Sequence, residues 1–213
     1  MKFIPTEVQD CMVVVTERYH DDRGFFQELY EEDKYQHGLD HVEQRWQQVN
    51  WSLSNKNVLR GIHVAQYAKL VTCIAGKIWD LVVDLRSKSP TFLKWIGVEL
   101  CLGDAKQVYV PPGCGHGFVA LEDNTNVVYM QSGRYAKQGE LTIMYNEPNL
   151  KIQWPGENHI ISQRDKDAQP LWSFQMCLED EMDFALNDRL QRVWMDSLPP
   201  EDRAEWIKKF PLD

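Results

Sequence analysis

Between residues 69 and 145, apolar and polar positions alternate in short runs separated by turn residues. A period of two marks strands with two unlike faces. In the run 78–85, Ile78, Asp80, Val82 and Asp84 fall on one face and Trp79, Leu81, Val83 and Leu85 on the other. The run 69–74 precedes it across Ala75-Gly76-Lys77, a turn signal. Residues 92–100, 107–110, 117–121, 126–131 and 140–145 read as further strands, with Pro111-Pro112-Gly113 breaking the pattern. Many short strands at regular spacing predict an all-β sandwich or barrel. From Glu179 the period changes, and Met182, Leu186, Leu190, Val193 and Trp194 recur at helical spacing. Pro199-Pro200 ends that helix, and a second short one is expected over 201–208 with Pro200 near its first turn. Both are expected to pack on the outside of the β body.

A length of 213 residues accommodates one domain and an appendage. With 43% hydrophobic and 26% charged residues, the composition excludes a disordered, collagenous or coiled-coil chain. The longest apolar run, residues 11–15, is far below the roughly 18 needed to span a bilayer, and the first residues lack a signal-peptide core. A cytoplasmic chain with no membrane partner is therefore expected. The net charge of -9 argues against a nucleic-acid surface. The cysteines, Cys11, Cys73, Cys101, Cys114 and Cys177, are odd in number, widely spaced and free of any Cys-x-x-Cys, which reads as reduced thiols.

Three segments carry more polar groups than a core needs: 22–28, 48–54 running into 59–63, and 112–118. His63 is the leading general base, because an imidazole takes and returns protons near neutral pH; a hydrogen-bonded structural histidine is the alternative. Arg60 and Lys69 flank it, and at strand spacing Lys69 is expected on the same cavity, where its charge would stabilise an oxyanion. Tyr129 and Tyr135 share a face if one strand spans both, and serve either as a proton donor or as core packing. Cys114, two residues before His116, would be a nucleophile only if accessible, and buried structural thiols are commoner. His116 closes a Pro-x-Gly-x-x-His pattern at 111–116 that resembles the second signature of cupin β-barrels. The matching first-signature position, His63-Val64-Ala65, lacks a second histidine, and His20, His37, His41 and His159 have no ligand spacing. No metal site is expected.

Taken together, Asp22-Arg23-Gly24-Phe25-Phe26-Gln27-Glu28, Leu59-Arg60-Gly61-Ile62-His63, Val83-Asp84-Leu85-Arg86, Ser89-Pro90-Thr91-Phe92, residues 112–118 and Ile161-Ser162-Gln163-Arg164-Asp165 resemble the dTDP-4-dehydrorhamnose 3,5-epimerases, over about residues 3–171. The resemblance implies a cupin-type jelly-roll β-barrel for an epimerase domain at 1–171; the C-terminal helices come from the periodicity alone and form a helical extension at 172–213, about which the resemblance says nothing. It implies an isomerase without metal or cofactor, acting on a nucleotide-diphosphate keto sugar, dTDP-linked. His63 would be the base, Asp165 its orienting carboxylate, Tyr129 the acid on the opposite face of the sugar and Lys69 the cation beside the enolate. Asp84 and His116 would line the sugar site, and Arg60 would meet the diphosphate. Arg23, Phe26, Glu28, Gln48, Asn50, Tyr135 and Glu140 would hold the nucleotide, the first of these reaching across from the partner subunit of a homodimer.

One departure bears on specificity. Only Val64-Ala65-Gln66-Tyr67-Ala68 separates His63 from Lys69, a shorter segment than is usual in the family. It keeps open an epimerase or 3,4-ketoisomerase acting on a GDP- or CDP-linked sugar, and a catalytically inactive nucleotide-sugar-binding cupin. The tail from 171 onward holds ten acidic and five basic residues, so over half of the net charge of -9 lies outside the segments that carry the resemblance.

Overall fold

The computed structural model describes residues 1–39, 45–135, 139–174, 184–200 and 202–203. In chain order the strands are β1 (Lys2–Pro5), β2 (Met12–Val15), β3 (Arg18–Asp21) and β4 (Gly24–Gln27), followed by α1 (Glu32–Gly38). Then come β5 (Gln48–Ser54), β6 (Val58–Ala65), β7 (Lys69–Ala75), β8 (Lys77–Asp84), β9 (Trp95–Cys101), β10 (Lys106–Val110), β11 (Cys114–Ala120) and β12 (Thr125–Gln131). The short β13 (Glu140–Thr142) and β14 (Ile160–Ile161), α2 (Gln163–Lys166) and α3 (Phe184–Ser197) complete the described elements.

The first sheet runs β1-β2-β10-β7-β12-β5, and the second β13-β6-β11-β8-β9 with β14 pairing β6 in parallel; β3 and β4 form a separate hairpin. Val71, Cys73, Val108, Val110 and Val127 of the first sheet meet Ile78, Val82, Leu100, Cys114 and Phe118 of the second in one buried cluster. The all-β jelly-roll expectation is thereby met. The two faces of β8 also separate as the alternation predicts. Ile78 and Val82 point between the sheets, whereas Leu81, Val83 and Leu85 join a second cluster on the far side with Ile62, Val64, Leu171, Trp172, Leu190 and Trp194.

That second cluster is where α3 docks, on the outer face of the second sheet. Leu190 and Trp194 are buried there at 1% and 2% exposure, while Val193 is 38% exposed. Truncating a ring buried like that of Trp194 to alanine costs about 3–5 kcal/mol. Met182, the side chain of Leu186, most of the helix expected over 201–208, and Cys177 lie outside the described residues. Among the described residues no helix is long and apolar enough to cross a membrane.

Three strand boundaries differ by three residues from the pattern-based reading, one of them the end of β13, which stops at Thr142 where the pattern runs on to Tyr145. β9 starts at Trp95 because the preceding residues are held in a turn by Leu93 N–H donating to Asp84 O and Lys94 N–H to Thr91 O. β11 starts at Cys114, three residues before the expected start at Gly117, taking in Cys114-Gly115-His116. Pairing with β6 on one side and β8 on the other overrides the low strand propensity of Gly115.

Candidate active site

The register of β6 against β11 explains how the site is assembled. His63 pairs with His116 and Arg60 with Phe118, so three steps on β6 match two on β11. The extra residue is a β-bulge, which turns Arg60 and His63 to the same face although they are an odd number of positions apart. Gly61 sits in the bulge at φ +121, and a Cβ there would lie 2.6 Å from Gly117 Cα. Glycine is therefore needed both for the backbone angle and for the close approach of the strands.

The result is a cavity of about 290 Å³ between the sheets. Arg60, His63, His116 and Phe118 line it from the second sheet, and Asn50, Lys69, Tyr129 and Gln131 from the first. Tyr135, Glu140, Ser162, Arg164 and Asp165 close the remaining sides. His63 and Lys69 face the same cavity, as the spacing predicts, but from strands of different sheets. The turn at Gln66-Tyr67-Ala68 carries the chain from one sheet to the other, so the two side chains meet across the cavity.

His63 Nε2 lies 2.7 Å from Asp165 Oδ1. Asp165 is delivered by α2, whose N-cap Ser162 accepts from Asp165 N–H at 3.2 Å and donates its hydroxyl to Asp165 Oδ2 at 2.9 Å. Burial pushes the Asp165 carboxyl up, but the bonds from His63, Ser162 and the Gly61 backbone outweigh it and hold the group below the usual carboxylate range. The ionised carboxylate fixes the imidazole with Nε2–H toward it, leaving Nδ1 as the ring nitrogen available to accept a proton.

Lys69 is buried and ion-paired to Glu140 at 3.2 Å. Burial lowers the Lys69 pKa, and the Glu140 charge opposes that shift. Glu140 also takes Arg164 at 3.0 Å; burial raises its carboxyl, but Lys69, His63 and Arg164 together hold it below its ordinary value. Tyr67 spans this group, its hydroxyl donating to Glu140 at 3.4 Å and its ring centroid 5.7 Å from Lys69 Nζ. Arg60 donates to the neutral oxygens Ser54 Oγ and Leu53 O, both at 3.1 Å, so those bonds leave its charge uncancelled. Gln48 donates to Asn50 Oδ1 at 2.8 Å and accepts from Tyr135 N–H at 2.9 Å. Tyr135 therefore reaches the cavity by a loop, since β12 ends at Gln131 and does not extend along one face to it.

Asp84 is a correction to the sequence reading. It does not line the cavity. Its buried oxygens are engaged by Arg86 at 2.9 and 3.0 Å and by Ser89 and Thr91, each at 2.5 Å. The carboxylate that holds the cavity residue His116 is Asp80, two alternation periods earlier on the same face of β8, with Oδ1 2.8 Å from His116 Nε2. Sequence reasoning misses both Asp80 and Arg164: Asp80 shares its strand face with Asp84, and the only signal for Arg164 is its place beside Asp165. Arg23, Phe26 and Glu28 belong to or follow the β3–β4 hairpin and stand away from this chain's cavity: Arg23 pairs with Asp21, Glu28 with Lys34, and Phe26 is 71% exposed. Cys114 is buried in the inter-sheet core, which pushes its thiol pKa up and removes it as a nucleophile. Among the described residues, no group of three or more His, Cys, Asp or Glu is placed to hold a metal ion.

Such a cavity has a base with its orienting carboxylate on one wall, and a phenol and a buried cation on the other. It can remove a proton from carbon beside a carbonyl, hold the enolate, and return a proton from the opposite side. Comparison with known proteins points the same way. The family model described as dTDP-4-dehydrorhamnose 3,5-epimerase matches residues 5–173. A dTDP-4-dehydrorhamnose 3,5-epimerase of Mycobacterium tuberculosis is 41% identical over 179 residues, covering 79% of this chain and 86% of the relative. A dTDP-4-dehydrorhamnose 3-epimerase of Streptomyces niveus is 36% identical over 172 residues, covering 79% and 83%. The crystal structure of an epimerase from Legionella pneumophila in complex with dTDP-4-keto-L-rhamnose superposes with a TM-score of 0.77 at 36% identity, covering 80% of this chain and 92% of that one.

Proposed function

The chain belongs to the dTDP-4-dehydrorhamnose 3,5-epimerase family, and we propose that it inverts carbons 3 and 5 of a dTDP-linked 4-keto-6-deoxyhexose, converting dTDP-4-dehydro-6-deoxyglucose to dTDP-4-dehydro-L-rhamnose. The observation that carries this reading is the opposition of His63, backed by Asp165 at 2.7 Å, to Tyr129 and Lys69 on the facing sheet.

The ketone at carbon 4 acidifies the protons on carbons 3 and 5. His63 Nδ1 takes one of them, and the C–H electron pair moves into the ring to give the enolate, whose oxygen is neutralised by Lys69. Tyr129 donates its phenolic proton to the same carbon from the other side, inverting the centre. The imidazolium then releases its proton and the tyrosinate regains one from solvent, so the enzyme returns to its starting state. General acid–base catalysis of this kind supplies about 10²–10⁴-fold, and one oxyanion donor a further 10²–10³-fold, roughly. Arg60 meets the diphosphate, and His116, held by Asp80, borders the sugar. Gln48, Asn50, Tyr135 and Glu140 hold the remainder.

The nucleotide site is completed by Arg23, Phe26 and Glu28 of a partner in a homodimer. Supporting this, the hairpin projects with Phe25 and Phe26 exposed, and the edge strand β5 presents Val49, Trp51 and Leu53 at 53–70% exposure. The epimerase domain ends near Leu171, with the helical extension beyond it. Free Cys11, Cys73, Cys101 and Cys114 fit a reducing cytoplasm.

A second reading, inversion at one centre only, is favoured by the likeness to the 3-epimerase. Incubating the protein in deuterium oxide with dTDP-4-dehydro-6-deoxyglucose decides between them. Label at both carbons supports the double epimerase, and label at one the single-centre enzyme. Nucleotide binding without label would overturn both in favour of a binding protein. A thermal-shift preference for GDP or CDP over dTDP would move the substrate assignment.

A further inference from the structure

The segment that delivers Asp165 continues directly into the C-terminal extension. After α2, Gln169 lies against β13: its N–H donates to Thr142 O at 3.4 Å, its carbonyl accepts from Met144 N–H at 3.1 Å, and it forms a bridge with Ile143. Two residues on, Leu171 N–H donates to Glu147 Oε2 at 2.8 Å. Glu147 is only 1% exposed, and its other oxygen accepts from Asn149 Nδ2 at 2.7 Å. Asn149 Nδ2 also donates to the α3 carbonyl Leu190 O at 3.0 Å. A buried polar relay thus ties the stretch after Asp165 to the helix of the extension.

Apolar contacts run in parallel. Trp172 packs on Trp194 of α3 with ring centroids 5.7 Å apart. Both belong to the cluster that buries Ile62 and Val64, the two neighbours of His63 on β6. The extension therefore braces the strand bearing His63 and the segment bearing Asp165 in one packed unit, on the far side of the sheet from the substrate.

We infer that docking of α3 through Trp194 sets the geometry of the His63–Asp165 pair, so that Trp194, Glu147 and Asn149 are positioning residues for proton transfer. This rests on the epimerase reading of His63 and Asp165. An undocked tail leaves Gln169 and Leu171 held only locally, and a misplacement of about 1 Å at a reacting group costs up to about 10²-fold in rate.

The test compares Trp194→Ala, Trp194→Phe and Asn149→Ala in the full-length protein, by backbone amide exchange and by deuterium-exchange turnover of the keto sugar. In Trp194→Ala, amides of both α3 and residues 163–171 should lose protection, kcat should fall about tenfold or more, and KM should stay within about twofold. Trp194→Phe, which keeps an aromatic ring against Trp172, should restore most of both. Asn149→Ala, which removes only the side-chain amide, should shift both in the same direction by less, and it carries the test if Trp194→Ala does not fold. Loss of protection in α3 with residues 163–171 and kcat unchanged would overturn the inference. Wild-type protein that exchanges no carbon-bound proton would instead sink the epimerase reading, while the amide-exchange arm still reports whether α3 holds the Asp165 segment.

Discussion

Asp165 Oδ1 lies 2.7 Å from His63 Nε2, although 102 positions separate the two residues. The carboxylate side chain is 3% exposed and the imidazole 23%, so the pair has a buried anchor and an accessible working end. In the proposed mechanism the carboxylate orients the ring and stabilises the imidazolium formed when His63 takes a proton. Asp165→Asn keeps the shape and removes that charge. Turnover of the keto sugar should fall about 10²–10⁴-fold with nucleotide affinity little changed. A variant within a few fold of wild type in kcat would remove Asp165 from the mechanism.

Tyr129 stands on the sheet opposite His63, which separates abstraction from inversion. In Tyr129→Phe the base still removes a proton and can return a solvent-derived one from its own side. Deuterium should therefore enter the substrate carbon while inversion falls by about 10²-fold or more. Nuclear magnetic resonance of the recovered sugar measures both at once. Loss of exchange and inversion in equal proportion would make Tyr129 a binding group and not the acid.

The strand alternation made the two-faced β8 legible, and its face of Ile78, Asp80, Val82 and Asp84 is the one that turns inward. It could not say which of the two aspartates serves the cavity. That depends on where Arg86, Ser89 and Thr91 fold back, and they engage Asp84. Nor could a period of two place Arg60 and His63 together, because only the bulge at Gly61 makes an odd spacing co-facial. Short polar motifs in the right order located the site, while the pairing of strands distant in sequence determined its walls.

Asp84 offers a stability prediction. Burial raises its carboxyl, but the bonds from Arg86, Ser89 and Thr91 win and hold it below its ordinary 3.8. In the unfolded chain the group regains that ordinary value, so just below it the unfolded state binds more protons than the native one. The stabilisation is full above about pH 5 and is lost as pH falls through the ordinary and then the lower native value. Asp84→Asn should destabilise the fold by about 1–3 kcal/mol at neutral pH, by weakening a network in which Arg86 keeps its pair with Asp10, and should flatten the acid limb of the stability curve. Denaturant melts from pH 7 down to pH 2.5 would show both. An unchanged midpoint at neutral pH would mean the network is energetically idle.

The proposed dimer predicts complementation. His63→Ala spoils the cavity of its own chain, whereas Arg23→Ala spoils the hairpin that its chain lends to the partner. Co-expressed, the two defective chains form heterodimers that contain one wholly intact site. Random pairing should then restore roughly a quarter of wild-type activity at limiting substrate. Failure to exceed the sum of the two homodimers, with heterodimers verified by mass, would place Arg23 in its own chain's site or outside catalysis.

Glu140 sits between two cations, 3.2 Å from Lys69 and 3.0 Å from Arg164, and its charge sustains the one proposed to face the enolate. Lys69 is pulled below its ordinary 10.5 by burial, and Glu140 is the largest influence in the other direction. Lys69 must carry its proton to neutralise an enolate oxygen, so its deprotonation forms the alkaline limit of turnover. Glu140→Gln preserves the shape and a hydrogen-bond acceptor but withdraws the opposing charge, which leaves burial and Arg164 to lower Lys69 further. The alkaline limb of the kcat profile should move to lower pH, by about one unit for each 1.4 kcal/mol of charge interaction lost. Lys69→Arg, whose guanidinium stays protonated throughout, should abolish that limb while lowering the rate through its altered reach. An alkaline limb that stays in place in Glu140→Gln would show that Lys69 is not the group whose charge the reaction needs.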